Sequence, residues 1–180
     1  MRQVVRRCIR AADQLALAMA VLAAAALAGI VLLLLAEIVV RSWFDATTGV
    51  SWELGVYLMA ATVFLGAGWT LRTGGHVRVG LAFEALTPAR RRWLDLAASL
   101  AGLPIVVLVA VALGDLAWIS FARDVRSWYP TQTPLGIPQA AVALGAWVLA
   151  IQLAARIGAL VLGDAPELAA PDDDRPGTEA

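Results

Sequence analysis

Residues 56–71 form an apolar run that stops at Arg72, and a basic stretch follows it. That stretch contains Gly74, Gly75 and the lone histidine His76, a short apolar piece at 77–86, a Thr87-Pro88 break and three arginines, Arg90, Arg91 and Arg92. Beyond them the chain turns apolar again. An element that leaves an apolar medium, passes through a basic connector and re-enters has the pattern of two membrane spans joined on the cytoplasmic side. Few soluble folds tolerate it. Composition points the same way: 61% of residues are hydrophobic and 16% charged, against about 45–50% and 25% in ordinary soluble domains. The expected fold is an all-α integral membrane protein with four transmembrane helices and an interfacial connector between spans 2 and 3.

The expected spans are 14–42, 54–71, 93–121 and 139–162, in a membrane domain covering 13–162. A basic cytoplasmic arm, 1–12, precedes it and an acidic, disordered tail, 163–180, follows. The first apolar run, 15–36, would make a helix about 33 Å long, enough for a hydrocarbon core of about 30 Å. Its start resembles a signal peptide, but hydrophobicity continues well past the passable cleavage site at Ala26-Leu27-Ala28, which favours a retained span. Pro104 lies inside the third span and removes one backbone hydrogen bond, so a kink or tilt is expected there. In the connector, Val77, Val79, Leu81 and Phe83 alternate with the period of a strand. A lone strand at a membrane leaves backbone groups unpaired, so a short interfacial helix or irregular segment is expected instead. The stretch 123–138, with three prolines, reads as an ordered non-helical connection.

Charge sets the orientation. All fourteen basic residues are arginine, and nine of them (2, 6, 7, 10, 72, 78, 90, 91, 92) fall in the amino-terminal arm and the second-to-third connector. The two opposite loops hold three (41, 123, 126). The positive-inside rule therefore places both termini in the cytoplasm. Trp43, Trp52, Trp118 and Trp128 mark one interface, and Trp69 and Trp93 the other. The formal net charge of zero gives no reason to expect nucleic-acid binding. One cysteine, Cys8, excludes an internal disulfide.

Catalytic chemistry is hard to assemble from these residues. One connector histidine cannot supply two axial haem ligands, and there is no HExxH or phosphate-binding GxxxxGK[ST] pattern. Ser99 and Ser120 lie within spans, far in sequence from His76 in its loop, so an intramembrane Ser-His pair is not expected. Ionisable residues gather at the span ends, unlike the mid-bilayer polar sites of secondary transporters. Glu37 and Arg41 share a helix face in the favourable acid-before-base order. They read either as an interfacial pair or as a polar anchor for another helix. Arg156, in the last span, is expected to snorkel toward the inner interface. No cofactor is expected in this chain.

The order of motifs carries more. Glu37-x-x-x-Arg41 ends the first span, Trp52-Glu53 opens the second, and Phe64-Leu65-Gly66-Ala67 lies within it. Arg72 and Gly75-His76-Val77-Arg78-Val79 then precede a Leu-Thr-Pro break, and Thr133-Pro134 to Pro138 and Gln152 mark the last span. This series resembles the small permease subunit (DctQ-like) of TRAP (tripartite ATP-independent periplasmic) transporters over about 36–162. Gly80 departs from it, since an acid often stands there in the family. The resemblance implies a bacterial inner-membrane subunit that scaffolds a large permease subunit, with sodium expected in that partner. A periplasmic solute-binding protein would deliver a carboxylate-type solute for ion-gradient-driven uptake. It also implies that Glu37, Arg41, Trp52, Glu53, Arg72 and His76 hold the fold or the subunit contact. The alternatives are a stand-alone four-span homodimeric exporter using Glu37, or a structural subunit of another membrane complex.

Overall fold

The computed structural model describes residues 2–74 and 88–163. His76, the alternating stretch of the connector and the tail beyond Gly163 lie outside the described residues. Four helices account for most of the rest: α1 (Arg2–Phe44), α2 (Ser51–Arg72), α3 (Pro88–Ala122) and α4 (Gly136–Leu162). All four are long and apolar enough to cross a membrane, so the chain has the all-α, four-span architecture expected of it. Long apolar sequence favours helix here because every backbone donor and acceptor must be satisfied within its own segment in lipid.

The helices begin earlier than their apolar runs. The basic arm is the first turns of α1, which is 43 residues long and continuous from Arg2. Pro88 opens α3, where a missing N–H costs nothing because first-turn donors have no intrahelical acceptor. α3 continues through Pro104 without a break in helical assignment. α4 ends at Gly163, whose φ of 81° suits a residue without a Cβ.

α4 is the axis of the molecule. It packs on α3, α2 and α1, and α1 also packs on α2, so α3 stands as a flank. Its buried residues include Ala143, Gly145, Ala146, Val148, Ala150 and Leu153. Small side chains allow this, since close backbone approach replaces the hydrophobic effect as the driving force in lipid. The tightest crossing is at Gly145, where an added Cβ would lie 2.4 Å from the carbonyl carbon of Phe64 on α2. Gly68 receives Val148 from the other side of that seam.

The bundle has two distinct ends. The turns joining α1 to α2 and α3 to α4 form the loop end. The start of α1, the end of α2, the start of α3 and the end of α4 form the terminal end. α2, at 22 residues, spans about 33 Å and roughly matches a hydrocarbon core. Its last residue, Arg72, meets Asp13 of α1, so the first turns of α1 extend past it. There Val5 reaches Gly158 of α4, and Arg92 of α3 reaches Leu160.

Candidate functional site

At the loop end, Glu37 does not pair with Arg41. Its carboxylate accepts hydrogen bonds from the Thr47 hydroxyl at 2.7 Å, the Thr48 backbone N–H at 3.2 Å and the Ser51 hydroxyl at 2.7 Å, and from the Thr48 hydroxyl as well. Val50, the N-cap residue of α2, makes no side-chain cap of its own. The Ser51 hydroxyl thus ties a carboxylate of α1 to the first residue of α2, where the positive end of the helix dipole favours an anion. Of the two readings left open by the spacing, Glu37 is the polar anchor for another helix and not the interfacial partner of Arg41, and the cause is simple. The turn 45–50 brings the Thr47 and Thr48 hydroxyls back onto Glu37, Ser51 at the start of α2 adds a third, and these neutral donors surround the carboxylate from the α2 side. Among the described residues Arg41 forms no ion pair.

Glu53 is the most deeply enclosed acid, 1% exposed. Tyr57, one turn along α2, donates its hydroxyl to Glu53 at 3.1 Å, and Thr131 donates from the α3–α4 loop. Trp52 next to it donates its indole N–H to the Tyr129 hydroxyl at 3.1 Å. Both residues of the Trp52-Glu53 motif thus hold the same loop. That loop is further ordered by its own backbone: Ser127 N–H donates to Thr133 O and Leu135 N–H to Val125 O, each at 3.0 Å. The stretch is non-helical and ordered, as its prolines imply. Where it enters α4, Gly136 lies against the Phe121 ring so closely that an added Cβ would sit 2.7 Å from it.

The terminal end is built from charge pairs. Arg72 Nε lies 3.3 Å from Asp13 Oδ1, and its guanidinium stacks over the Trp69 ring at 5.0 Å. Gln152 of α4 donates to the same Asp13 oxygen at 2.8 Å. Asp13 therefore ties α1 to α2 and α4 together. Arg156, expected to snorkel to the interface, is instead 8% exposed and pairs with Asp95 of α3 at 2.6 Å. Arg156 lies on the face of α4 that carries Gln152, Leu153, Ala159 and Leu160, all buried, so the protein covers it before lipid can. Arg92 of α3 donates Nε to the Leu160 carbonyl at 3.0 Å and satisfies one of the unpaired acceptors at the end of α4.

These contacts assign roles to four of the six residues singled out by sequence. Glu37, Trp52, Glu53 and Arg72 join elements of this chain, Arg41 stands on the outer surface of α1, and His76 is outside the described residues. Asp13, Tyr57, Thr131 and Asp95 complete the clasps. Asp13 and Asp95 were visible as acids beside apolar runs, but nothing in the sequence says which arginine each would meet. Among the described residues no group of three His, Cys, Asp or Glu side chains is placed to hold a metal ion.

A four-span bundle with polar residues confined to its ends is compatible with several membrane complexes. The deciding comparison is with the family model for the DctQ component of tripartite ATP-independent periplasmic transporters, which matches residues 30–163. The chain belongs to this family. No curated protein and no solved structure matches it. The match takes in Glu37, Glu53, Arg72, Asp95, Gln152 and Arg156, and leaves Asp13 outside. As a DctQ component this is a multi-pass membrane protein and a part of a transporter, not a member of an enzyme family.

Proposed function

We propose that this DctQ component is a fixed scaffold for the large permease subunit of a TRAP transporter in a bacterial inner membrane, with both termini cytoplasmic. The partner would carry the solute and sodium sites. A periplasmic binding protein would deliver a carboxylate-type solute, and the ion gradient would drive uptake. One observation carries this reading: the ionisable side chains described within the spans sit toward the bundle ends, and most of them join this chain's own helices. Glu37, Glu53, Asp13 and the Asp95–Arg156 pair are each engaged, and the middle of the bundle is closed by Ala, Gly, Val and Leu. A chain arranged in this way braces a partner and offers no solute a path of its own.

Tagging the chain, extracting native membranes gently and identifying co-purifying proteins tests this. A large polytopic protein in equal amount is expected, and Glu37→Ala or Arg41→Ala should lower its recovery with uptake falling in proportion. Full assembly with lost uptake would contradict a purely structural role. A homodimer alone would return attention to the exporter reading, against which stands the engagement of Glu37 by Thr47, Thr48 and Ser51.

A further inference from the structure

α3 stands as a flank of the bundle and packs on α4 through a narrow face, where Ser99, Ala110, Ala117 and Ser120 are buried. Away from that face run Pro104, Leu108, Val111, Asp115, Trp118 and Ala122, spaced alternately four and three residues apart. That spacing puts all six in one stripe along the helix, and all six are exposed. The stripe would be ordinary lipid-facing surface but for two positions. Asp115 has no hydrogen bond or ion pair among the described residues, whereas Asp13, Glu37, Glu53 and Asp95 are all engaged. It lies seven residues before the end of α3, about 10 Å along the axis, and one turn on the apolar side of Trp118. An aspartate has a single methylene and cannot carry its charge to the interface. Arg41, also without an ion pair, differs because it stands in the last turn of α1 and has a long stem that reaches outward. Pro104 is the second exception. It has no N–H to donate to the Leu100 carbonyl, which is therefore left without its helical donor, about three turns from Asp115. In lipid a carboxylate and a freed carbonyl are both costly, and both are normally turned toward protein.

We propose, on the basis of the scaffold role above, that this stripe of α3 is where the large permease subunit docks, through a membrane-spanning helix that presents an Arg or Lys to Asp115. Charge selects this occupant. Lipid tails offer a carboxylate no donor, and anionic headgroups repel it. A second copy of this chain, packed stripe to stripe about a two-fold axis, would set Asp115 against Asp115. The alternation of four and three residues is the spacing along which a facing helix stays in register.

The test uses the full chain, tagged and purified with the large subunit from native membranes. Asp115→Leu should lower recovery of the large subunit per tagged chain by at least about tenfold, as expected when a buried charge loses its partner. Asp115→Asn should lower it less, and Asp115→Glu should retain much of it. The amount of tagged chain in the membrane should stay unchanged, because Asp115 makes no contact that holds this chain together. A benzophenone-bearing residue in place of Leu108, 72% exposed on the stripe, should cross-link to the large subunit. The same residue in place of Leu116, 47% exposed but off the stripe, should do so several-fold less. Full recovery with Asp115→Leu, and position 108 cross-linked to lipid alone, would overturn the inference and leave the scaffold role standing. Cross-linking to a second copy of this chain would overturn it too. So would a matching loss of the tagged chain from the membrane in the Leu and Asn variants, since Asp115 would then be a structural residue of this chain. Absence of any large subunit beside the unsubstituted chain would fail the scaffold role itself, and the inference with it.

Discussion

The two ends of the bundle solve one problem with different chemistry. Each must hold carboxylates that tie helices together near the edge of an apolar slab. The loop end surrounds Glu37 and Glu53 with hydroxyls from Thr47, Thr48, Ser51, Tyr57 and Thr131. The terminal end sets arginines against Asp13 and Asp95. Neutral donors let the loop end keep its acids while holding few arginines, as the proposed placement of that end on the translocated side would need. The end rich in arginine commits three of them, Arg72, Arg92 and Arg156, to structure and still outweighs the other. Topology and packing thus draw on the same residues, and the choice of hydrogen-bond donor reconciles them.

The largest effect should come from Arg156→Ala. It leaves Asp95 enclosed without its guanidinium, and losing one member of a buried pair typically costs about 3–5 kcal/mol. Thermal unfolding of the detergent-solubilised protein should show it, and a Asp95→Asn/Arg156→Gln double variant should recover much of the loss. Equal damage in single and double variants would mean that the pair does not act as a unit. Next is Glu53→Leu, which removes an acceptor shared by two hydroxyls and should cost about 2 kcal/mol. Amide exchange across 125–133 should accelerate while the terminal end stays protected. Protection unchanged in that loop would break the claim that Glu53 holds it.

Glu37→Ala should be milder and local. Amide exchange should rise at Thr48 and in the first turn of α2, whereas Arg41→Ala should leave those amides as they are. If both variants behaved alike, the interfacial Glu37–Arg41 pair, one of the two readings of that spacing, would be restored. Smallest of all is Arg72→Gln, since Arg72 remains partly exposed and such pairs contribute about 0–1 kcal/mol. Its effect should shrink further at high salt, in contrast to that of Arg156→Ala.

Much of this protein was legible without coordinates. The number of spans, the Pro88 break and the ordered loop before α4 each rest on chemistry carried by a few consecutive residues. Helix starts were less legible: the arm and Pro88–Arg92 are charged or polar, yet they extend helices whose hydrogen-bonding is already nucleated beyond them. Glu37 and Arg156 show where local reading stops. Spacing along α1 put Arg41 within reach of Glu37, but a turn ten or more residues later supplied better-placed donors. Depth along α4 suggested an arginine reaching for water, but an aspartate 61 residues earlier met it first.

Four segments long and apolar enough to span a membrane, and the family, were both carried by the linear pattern of the chain. Apolar length, arginine placement and motif order are one-dimensional properties, and lipid reads them segment by segment. Which acid meets which donor, the place of α4 as the axis, and the contact of α2 with α4 at Gly145 came instead from packing. Those depend on how helices cross and at what height they meet, and in lipid a polar side chain is settled by whichever partner packing brings within hydrogen-bond distance.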